Sequence, residues 1–264
     1  NSKNFIKIIK KKLITFSILV SSQIKQIAET SKNNKSIKIK SIISSSSILS
    51  KDVKNIFMKK FNCNFYECYG TSEISIATSI NFLKEKSKIG SVGKAINKVK
   101  IKILGKNNKF LKKNEIGEII CKTPYKFSGY YKKNKITNNS FWNGFFKTGD
   151  LGSLDKDKYL YYKGRKKELI KSGGISIYPI DVEKVISTYN NVKECAVIPI
   201  ANKNLGEVVA AVIVLKKNKK LDQVKLRHFC SSNLSDFQQP FHFFFRTKLP
   251  KNTLGKIKKN LLIE

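Results

Sequence analysis

Arginine is scarce in this 264-residue chain: among 53 basic residues only Arg165, Arg227 and Arg246 are arginines. Its planar fork is the side chain best matched to phosphates and base edges, so a surface selected to read nucleic acid should contain more of it. The formal charge of +35, from 53 Lys and Arg against 18 Asp and Glu, is therefore read as a lysine-biased, solvated surface. The lysines are spread along the chain, and no specific nucleic-acid partner is expected. Histidine is limited to His228 and His242, and the five cysteines (Cys63, Cys68, Cys121, Cys195, Cys230) lack metal-ligand spacing. That argues against a zinc site and for reduced thiols in a cytoplasmic protein. The apolar run Leu13 to Val20 after Lys10-Lys11-Lys12 imitates a signal peptide but falls far short of the roughly 20 residues that span a bilayer. It reads as a buried strand after a basic helix end, so no transmembrane segment is expected. The chain starts at Asn1 and its only methionine is Met58, so an upstream segment is expected.

A 41% apolar content supports a packed core, and the length suffices for a large and a small domain. Helix-like spacing at Phe5 to Ile9 and Ile24 to Ala28 flanks a strand at Ile14 to Val20. A strand at Ile37 to Ile43 leads into Ser44-Ser45-Ser46-Ser47, followed by a helix at Asp52 to Lys60 and an apolar run at Phe65 to Tyr69. That succession predicts an α/β sheet. From Ile89 to Leu151 short runs (Val99 to Leu104, Gly117 to Lys122) between Gly and Asn turns predict a β-rich subdomain. From Glu168 onwards an α+β unit is expected, with a helix after Pro179, strands at Glu194 to Ile200 and Val208 to Leu215, a helix at Leu221 to Leu234 and a strand at Phe241 to Phe245. A boundary at Lys166-Lys167 gives domains 1–166 and 167–264. No internal repeat is evident, and the serine run and Lys216 to Lys220 read as loop ends.

The most informative stretch runs from Gly164-Arg165-Lys166-Lys167-Glu168 to Lys171-Ser172-Gly173-Gly174-Ile175, followed by Pro179 and Glu183. Glycines let backbone approach a ligand, and fixed cations beside them suit an anion. Alone it could be an ordinary basic hairpin. Its company is Tyr69-Gly70-Thr71-Ser72-Glu73, Thr148-Gly149-Asp150 and Leu249-Pro250-Lys251-Asn252-Thr253-Leu254-Gly255-Lys256. In that order the four blocks resemble the adenylate-forming (AMP-binding) superfamily, and within it the acyl-CoA synthetase branch. The resemblance implies α/β and α+β architecture: the end of a large adenylate-forming domain, with a parallel-sheet part and a β-rich subdomain, then a small mobile α+β C-terminal domain.

It also implies a reaction. A carboxylic acid is activated with ATP to an acyl-adenylate, and the acyl group then passes to the thiol of coenzyme A. Glu73 resembles the family's Mg2+-binding glutamate; the bland alternative is a solvated carboxylate at a helix start. Tyr69 looks like the residue lying against adenine, and Gly70, Thr71 and Ser72 like the phosphate-contacting turn. Asp150 resembles the carboxylate that accepts both ribose hydroxyls, a task for a two-oxygen acceptor, although Thr-Gly-Asp is in most settings a plain turn. Arg165 is similar to an arginine touching ribose and phosphate. Lys256 resembles the catalytic lysine, whose charge sits where negative charge develops. Lys167 resembles a hinge whose rotation withdraws Lys256 and brings Lys171, Ser172, Gly173 and Gly174 to the pantetheine path. Gly174 would be needed because a side chain there obstructs the thiol. Gly117-Glu118-Ile119, Gly129-Tyr130-Tyr131 and Trp142 to Lys147 resemble structural signatures and are assigned no chemistry.

The chain matches only the latter half or so of the family. The Ser/Thr/Gly-rich phosphate loop and much of the acyl pocket are missing, so a fragment, poor in catalysis alone, is expected. Ser44 to Ser47 stands where the family has a glycine-containing turn. A peptide-synthetase adenylation domain would carry a different hinge block, and a non-catalytic nucleotide-binding scaffold with a basic surface is the third alternative. Ile74, Ile76 and Ala77 are compatible with fatty, aryl or short branched acids, and the oligomeric state is unread.

Overall fold

The computed structural model of the chain describes residues 2–30, 37–45, 49–219, 221–253 and 255–263. It divides into two compact units, Asn1–Tyr162 and Lys163–Glu264. The first opens with α1 (Ser2–Lys12), β1 (Phe16–Val20), α2 (Ser21–Thr30), β2 (Ser41–Ser45), α3 (Lys51–Lys60), β3 (Asn64–Thr71), β4 (Ser75–Asn81) and β5 (Lys94–Ala95). The strands form one sheet in the order β1-β2-β3-β4-β5. β1, β2 and β3 run parallel, and β4 returns antiparallel to β3. Helical crossovers are what parallel neighbours require, and α2 and α3 supply them. α3 starts where Ser50 accepts the Val53 amide and ends with Lys59 and Lys60 at its negative pole. Its buried Phe57 stacks on Phe61 at 4.5 Å and meets Phe65 of β3 at 4.9 Å.

The run from Leu13 is not a buried strand: only Phe16–Val20 is extended, and it forms the sheet's outer strand, with Phe16 52% and Ile18 59% exposed. The second strand begins at Ser41 rather than Ile37; Ile37 and Ile39 are buried without joining the ladder. Ser46 and Ser47 lie outside the described residues.

A second sheet follows, from β6 (Lys100–Leu104), β7 (Gly117–Lys122), α4 (Asn134–Asn139), β8 (Phe141–Trp142), β9 (Phe145–Leu154) and β10 (Leu160–Arg165). Its order is β10-β9-β7-β6, with β8 on β9, which is the β-rich subdomain expected. Its core joins Val99, Ile101, Ile103, Ile119 and Phe146 to Tyr69 and Ala77 of the first sheet and Ile74 of the turn between β3 and β4.

The second unit contains β11 (Ile170–Ser172), β12 (Ile175–Ile177), α5 (Pro179–Ser187), β13 (Val192–Asn202), β14 (Gly206–Leu215), α6 (Gln223–Asn233) and β15 (His242–Phe245). Its sheet order is β12-β11-β14-β13, with β15 parallel on β14. Alternation sorts β13 and β14: Val197, Val209, Ala211 and Ile213 face a core shared with Val182, Ile186 and Leu226. Ala196, Ile198, Ala210 and Val212 face the opposite way, under Leu249, Ile257 and Leu262 of the C-terminal segment. Both faces are covered, which explains the near-continuous apolar run of β14. Among the described residues no helix is long and apolar enough to cross a membrane.

One buried ion pair fastens the parallel sheet. Lys54 on α3 and Glu67 on β3 are 1% and 2% exposed and meet at 2.7 Å. The Lys54 ammonium also donates to the Ile89 carbonyl at 3.2 Å and lies 4.2 Å from the Phe82 ring centroid. Glu67 accepts the Leu49 amide at 3.0 Å. Burial pushes the Glu67 carboxyl above its ordinary 4.5, against the pull of Lys54 and that amide. A raised folded value favours folding below 4.5, and that contribution is lost as pH climbs through the folded value. Lys54→Met removes the pull, raises the carboxyl further and deepens the loss. The variant should approach wild type in acid and fall behind by about 3–5 kcal/mol near neutrality. Lys54→Met/Glu67→Leu should recover most of that deficit. Denaturant unfolding across pH checks this, and a pH-independent gap would contradict it.

Candidate functional site

Tyr69 to Glu73 lie at the end of β3 and in the turn to β4. The ladder slips between Tyr69 and Gly70, and a side chain at Gly70 would drive into the Ser75 carbonyl, so only glycine closes this turn. Thr71 Oγ1 accepts the Glu73 amide at 3.3 Å, and Ser72 stands exposed at the tip. Glu73 is therefore in a hairpin turn, not at the helix start that its bland alternative assumed. Its carbonyl accepts the Phe127 amide at 2.8 Å, and its Oε1 accepts the Tyr130 hydroxyl at 2.9 Å. Burial first, then the Glu73 carboxylate, push the Tyr130 phenol above its usual range. Tyr130 was visible in the sequence only as part of Gly129-Tyr130-Tyr131; its role in holding Glu73 was missed.

Thr148-Gly149-Asp150 is not a plain turn either, because it lies inside β9. Glu118 pairs with Leu151 and Ile120 with Lys147, so three residues of β9 stand opposite Ile119 alone. This bulge is made by Gly149 at φ +69, whose amide donates to Glu118 Oε1 at 3.2 Å. Thr148 Oγ1 donates to the Ile119 carbonyl at 2.7 Å and accepts the Asp150 amide at 3.1 Å. The bulge re-aims Asp150 inward, where it is 2% exposed and Oδ2 accepts the Tyr69 hydroxyl at 2.9 Å. Burial and the Asp150 charge push the Tyr69 phenol well above its usual value, so it remains a donor. Tyr162 adds a second ring 6.0 Å from that of Tyr69. Tyr69, Thr71, Glu73 and Asp150 are thus gathered within the first unit.

The other candidates belong to the second unit. Arg165 ends β10, half-buried, and Lys167 is exposed on the 3-10 turn Lys166–Glu168. Lys171 and Ser172 form β11, with the Lys171 amide donating to Glu207 at 2.7 Å and Ser172 buried. Gly173 and Gly174 make the turn to β12 at φ +54 and +83. A Cβ on Gly174 would meet nothing within 4 Å, so what this structure asks of that glycine is its left-handed backbone. Lys256 is exposed on the loop Pro250 to Lys258, which is closed by the Lys251–Ile257 bridge. Leu254, in the same block, lies outside the described residues.

Among the described residues no three His, Cys, Asp or Glu side chains gather as a metal nest. Mg2+ is commonly held by one or two carboxylates together with substrate phosphates and water. A single carboxylate fixed at a glycine turn, as Glu73 is, fits that mode.

The model of the AMP-binding enzyme family matches residues 1–131, and that of the AMP-binding enzyme C-terminal domain matches residues 181–256. The chain is 36% identical over 227 residues to a long-chain-fatty-acid–CoA ligase of Bacillus subtilis, covering 86% of this chain and 40% of that protein. It superposes on ATP-bound MatB from Rhodopseudomonas palustris with a TM-score of 0.92 at 29% identity, over 100% of this chain and 52% of that one. The o-succinylbenzoate CoA synthetase of Bacillus subtilis, in complex with its acyl-adenylate intermediate, matches at a TM-score of 0.91 and 28% identity, over 100% of this chain and 54% of that one. The chain thus spans 40% of the length of this curated relative and about half of the solved ones.

Tyr69→Phe removes a buried donor from a carboxylate and should cost about 1.5–3 kcal/mol in denaturant unfolding. Ser72→Ala, at the exposed tip of the same turn, should change stability by less than about 0.5 kcal/mol. Equal effects would mean that the Tyr69 hydroxyl does not hold Asp150.

Proposed function

The chain belongs to the AMP-binding enzyme family, and from that premise we propose that it serves the ATP-dependent activation of a carboxylic acid and the transfer of its acyl group to coenzyme A. In the first step a carboxylate oxygen attacks the α-phosphorus of ATP, the bond to the β-phosphate breaks, and pyrophosphate leaves. In the second the coenzyme A sulfur attacks the acyl carbon, the bond to the phosphate oxygen breaks, AMP leaves, and the thiol proton goes to solvent. The observation that carries the reading is the buried Tyr69–Asp150 hydrogen bond at 2.9 Å, which sets an aromatic ring and a ribose-competent carboxylate side by side.

Each residue has a role in this proposal. Tyr69 offers its ring to adenine and Asp150 its carboxylate to the ribose hydroxyls. The Gly70-Thr71-Ser72 turn faces the phosphates, and Arg165 contacts ribose and phosphate. Glu73 would hold Mg2+, which when bound offsets phosphate charge. Lys256 places a cation against the charge that develops as the carboxylate attacks. Lys167 is the hinge, and Lys171, Ser172, Gly173 and Gly174 form the coenzyme A path. The fatty-acid and succinylbenzoate ligases among its relatives support a carboxylic acid substrate without choosing one.

Calorimetric titration with ATP and Mg2+, followed by AMP formation with a panel of carboxylic acids, tests the proposal. Asp150→Ala should weaken ATP binding at least tenfold, about 1.4 kcal/mol. Lys256→Ala should bind ATP like wild type and slow acid-dependent pyrophosphate release by about 100-fold or more. A wild-type chain that binds no ATP would overturn the proposal.

A further inference from the structure

Lys256 is a long, exposed side chain on a loop, and a cation that must meet developing charge needs its backbone held. The loop is well closed internally. The Asn252 amide donates to the Lys256 carbonyl at 2.9 Å, the Lys256 amide to Asn252 Oδ1 at 2.8 Å, and the Lys258 amide to the Pro250 carbonyl at 2.9 Å. None of these bonds anchors the loop to the rest of its unit. Leu249 and Ile257 pack this segment onto β13 and β14, and its flanking charges add fixed polar ties. On one side Lys251 meets Glu194 of β13 at 2.6 Å. On the other, Lys259 meets Glu183 of α5 at 2.6 Å and Glu168 at 3.7 Å.

The Lys259 clamp differs from an ordinary surface pair. Both Lys259 and Glu183 are about four-fifths buried, at 18% and 20% side-chain exposure. Glu183 Oε1 also accepts the Val197 amide at 2.8 Å, so the carboxylate is oriented by β13 as well as by the ammonium. Glu168 is the residue after Lys167, so Lys259 ties the loop to the segment that immediately follows the hinge position. The chain has only 18 acidic residues, and three of them, Glu168, Glu183 and Glu194, flank this loop. Among the described residues Lys256 itself is in no ion pair, so the clamp leaves its charge available.

We propose that Lys259, held between Glu183 and Glu168, is a positioning residue for Lys256: it fixes the loop so that the Lys256 ammonium travels as a rigid part of the unit. The inference rests on Lys256 acting in adenylation. Lys259→Met keeps the aliphatic stem and removes the charge, and Glu183→Gln keeps an acceptor for the Val197 amide. Lys259→Arg keeps the cation between Glu183 and Glu168.

Two readouts apply, with Lys256→Ala alongside. Hydrogen exchange at the Asn252, Lys256 and Lys258 amides should speed at least tenfold in Lys259→Met and Glu183→Gln, while the β13 and β14 amides keep wild-type protection. Acid-dependent adenylation should fall about 10- to 100-fold at unchanged ATP affinity, and Lys259→Arg, which keeps the cation, should retain most of the rate. If Lys256→Ala abolishes adenylation while Lys259→Met does not slow it, the clamp is refuted and the role of Lys256 stands. If wild type adenylates and Lys256→Ala matches it, the role of Lys256 falls and the clamp with it. Faster exchange throughout β13 and β14 would make Lys259 a general structural residue and overturn its positioning role.

Discussion

The hydrogen bond from Tyr69 to Asp150 joins residues 81 positions apart and is the constraint on which the first unit's candidate site depends. Its two ends come from different sheets: β3 of the parallel sheet and a bulge in β9 of the β-rich one. Neither residue could hold its orientation alone. The carboxylate is buried, and an ionised group in that setting must have donors near it. The phenol is buried as well, and the neighbouring negative charge keeps its proton in place. Two devices serve this contact: Gly149 at φ +69 turns Asp150 inward, and the slip at Gly70 shifts the β3–β4 ladder just after Tyr69.

A chain of charge +35 has few carboxylates to deploy, and their placement is informative. Glu67 is spent on the buried Lys54 pair that ties α3 to β3. Asp155 and Asp157 hold Lys88 at 2.6 and 2.7 Å, fastening the segment before β5 to the turn between β9 and β10. Glu73 takes the Tyr130 hydroxyl, and Glu168, Glu183 and Glu194 flank the Lys256 loop. The excess lysines contribute solubility and self-repulsion, while the scarce acids mark places where the backbone must be held.

Much of this was legible in the sequence, because local pattern carried it. Short apolar runs between turn residues located β6, β7, β13 and β14, and α3 and, after Pro179, α5 were located as helices. The four motif blocks identified the family. What was illegible is non-local. Phe16 and Ile18 are exposed on β1 although they sit in an apolar run, and composition alone does not signal that. Thr148-Gly149-Asp150 has turn composition and becomes a strand bulge only because β7 pairs on both sides of it. Tyr130 reaches Glu73 across 57 positions, a pairing that no spacing rule encodes. α4 buries no residue, so it has no apolar period to detect.

The central claim is that a nucleotide sits against Tyr69 and Asp150. Photolabelling with an azido-adenine analogue of ATP, followed by mapping of the modified peptide, tests it most directly. The label should fall on the segment Asn64 to Asn81 and be lost in the presence of excess ATP. Label scattered over the lysine-rich surface, or insensitive to ATP, would contradict it.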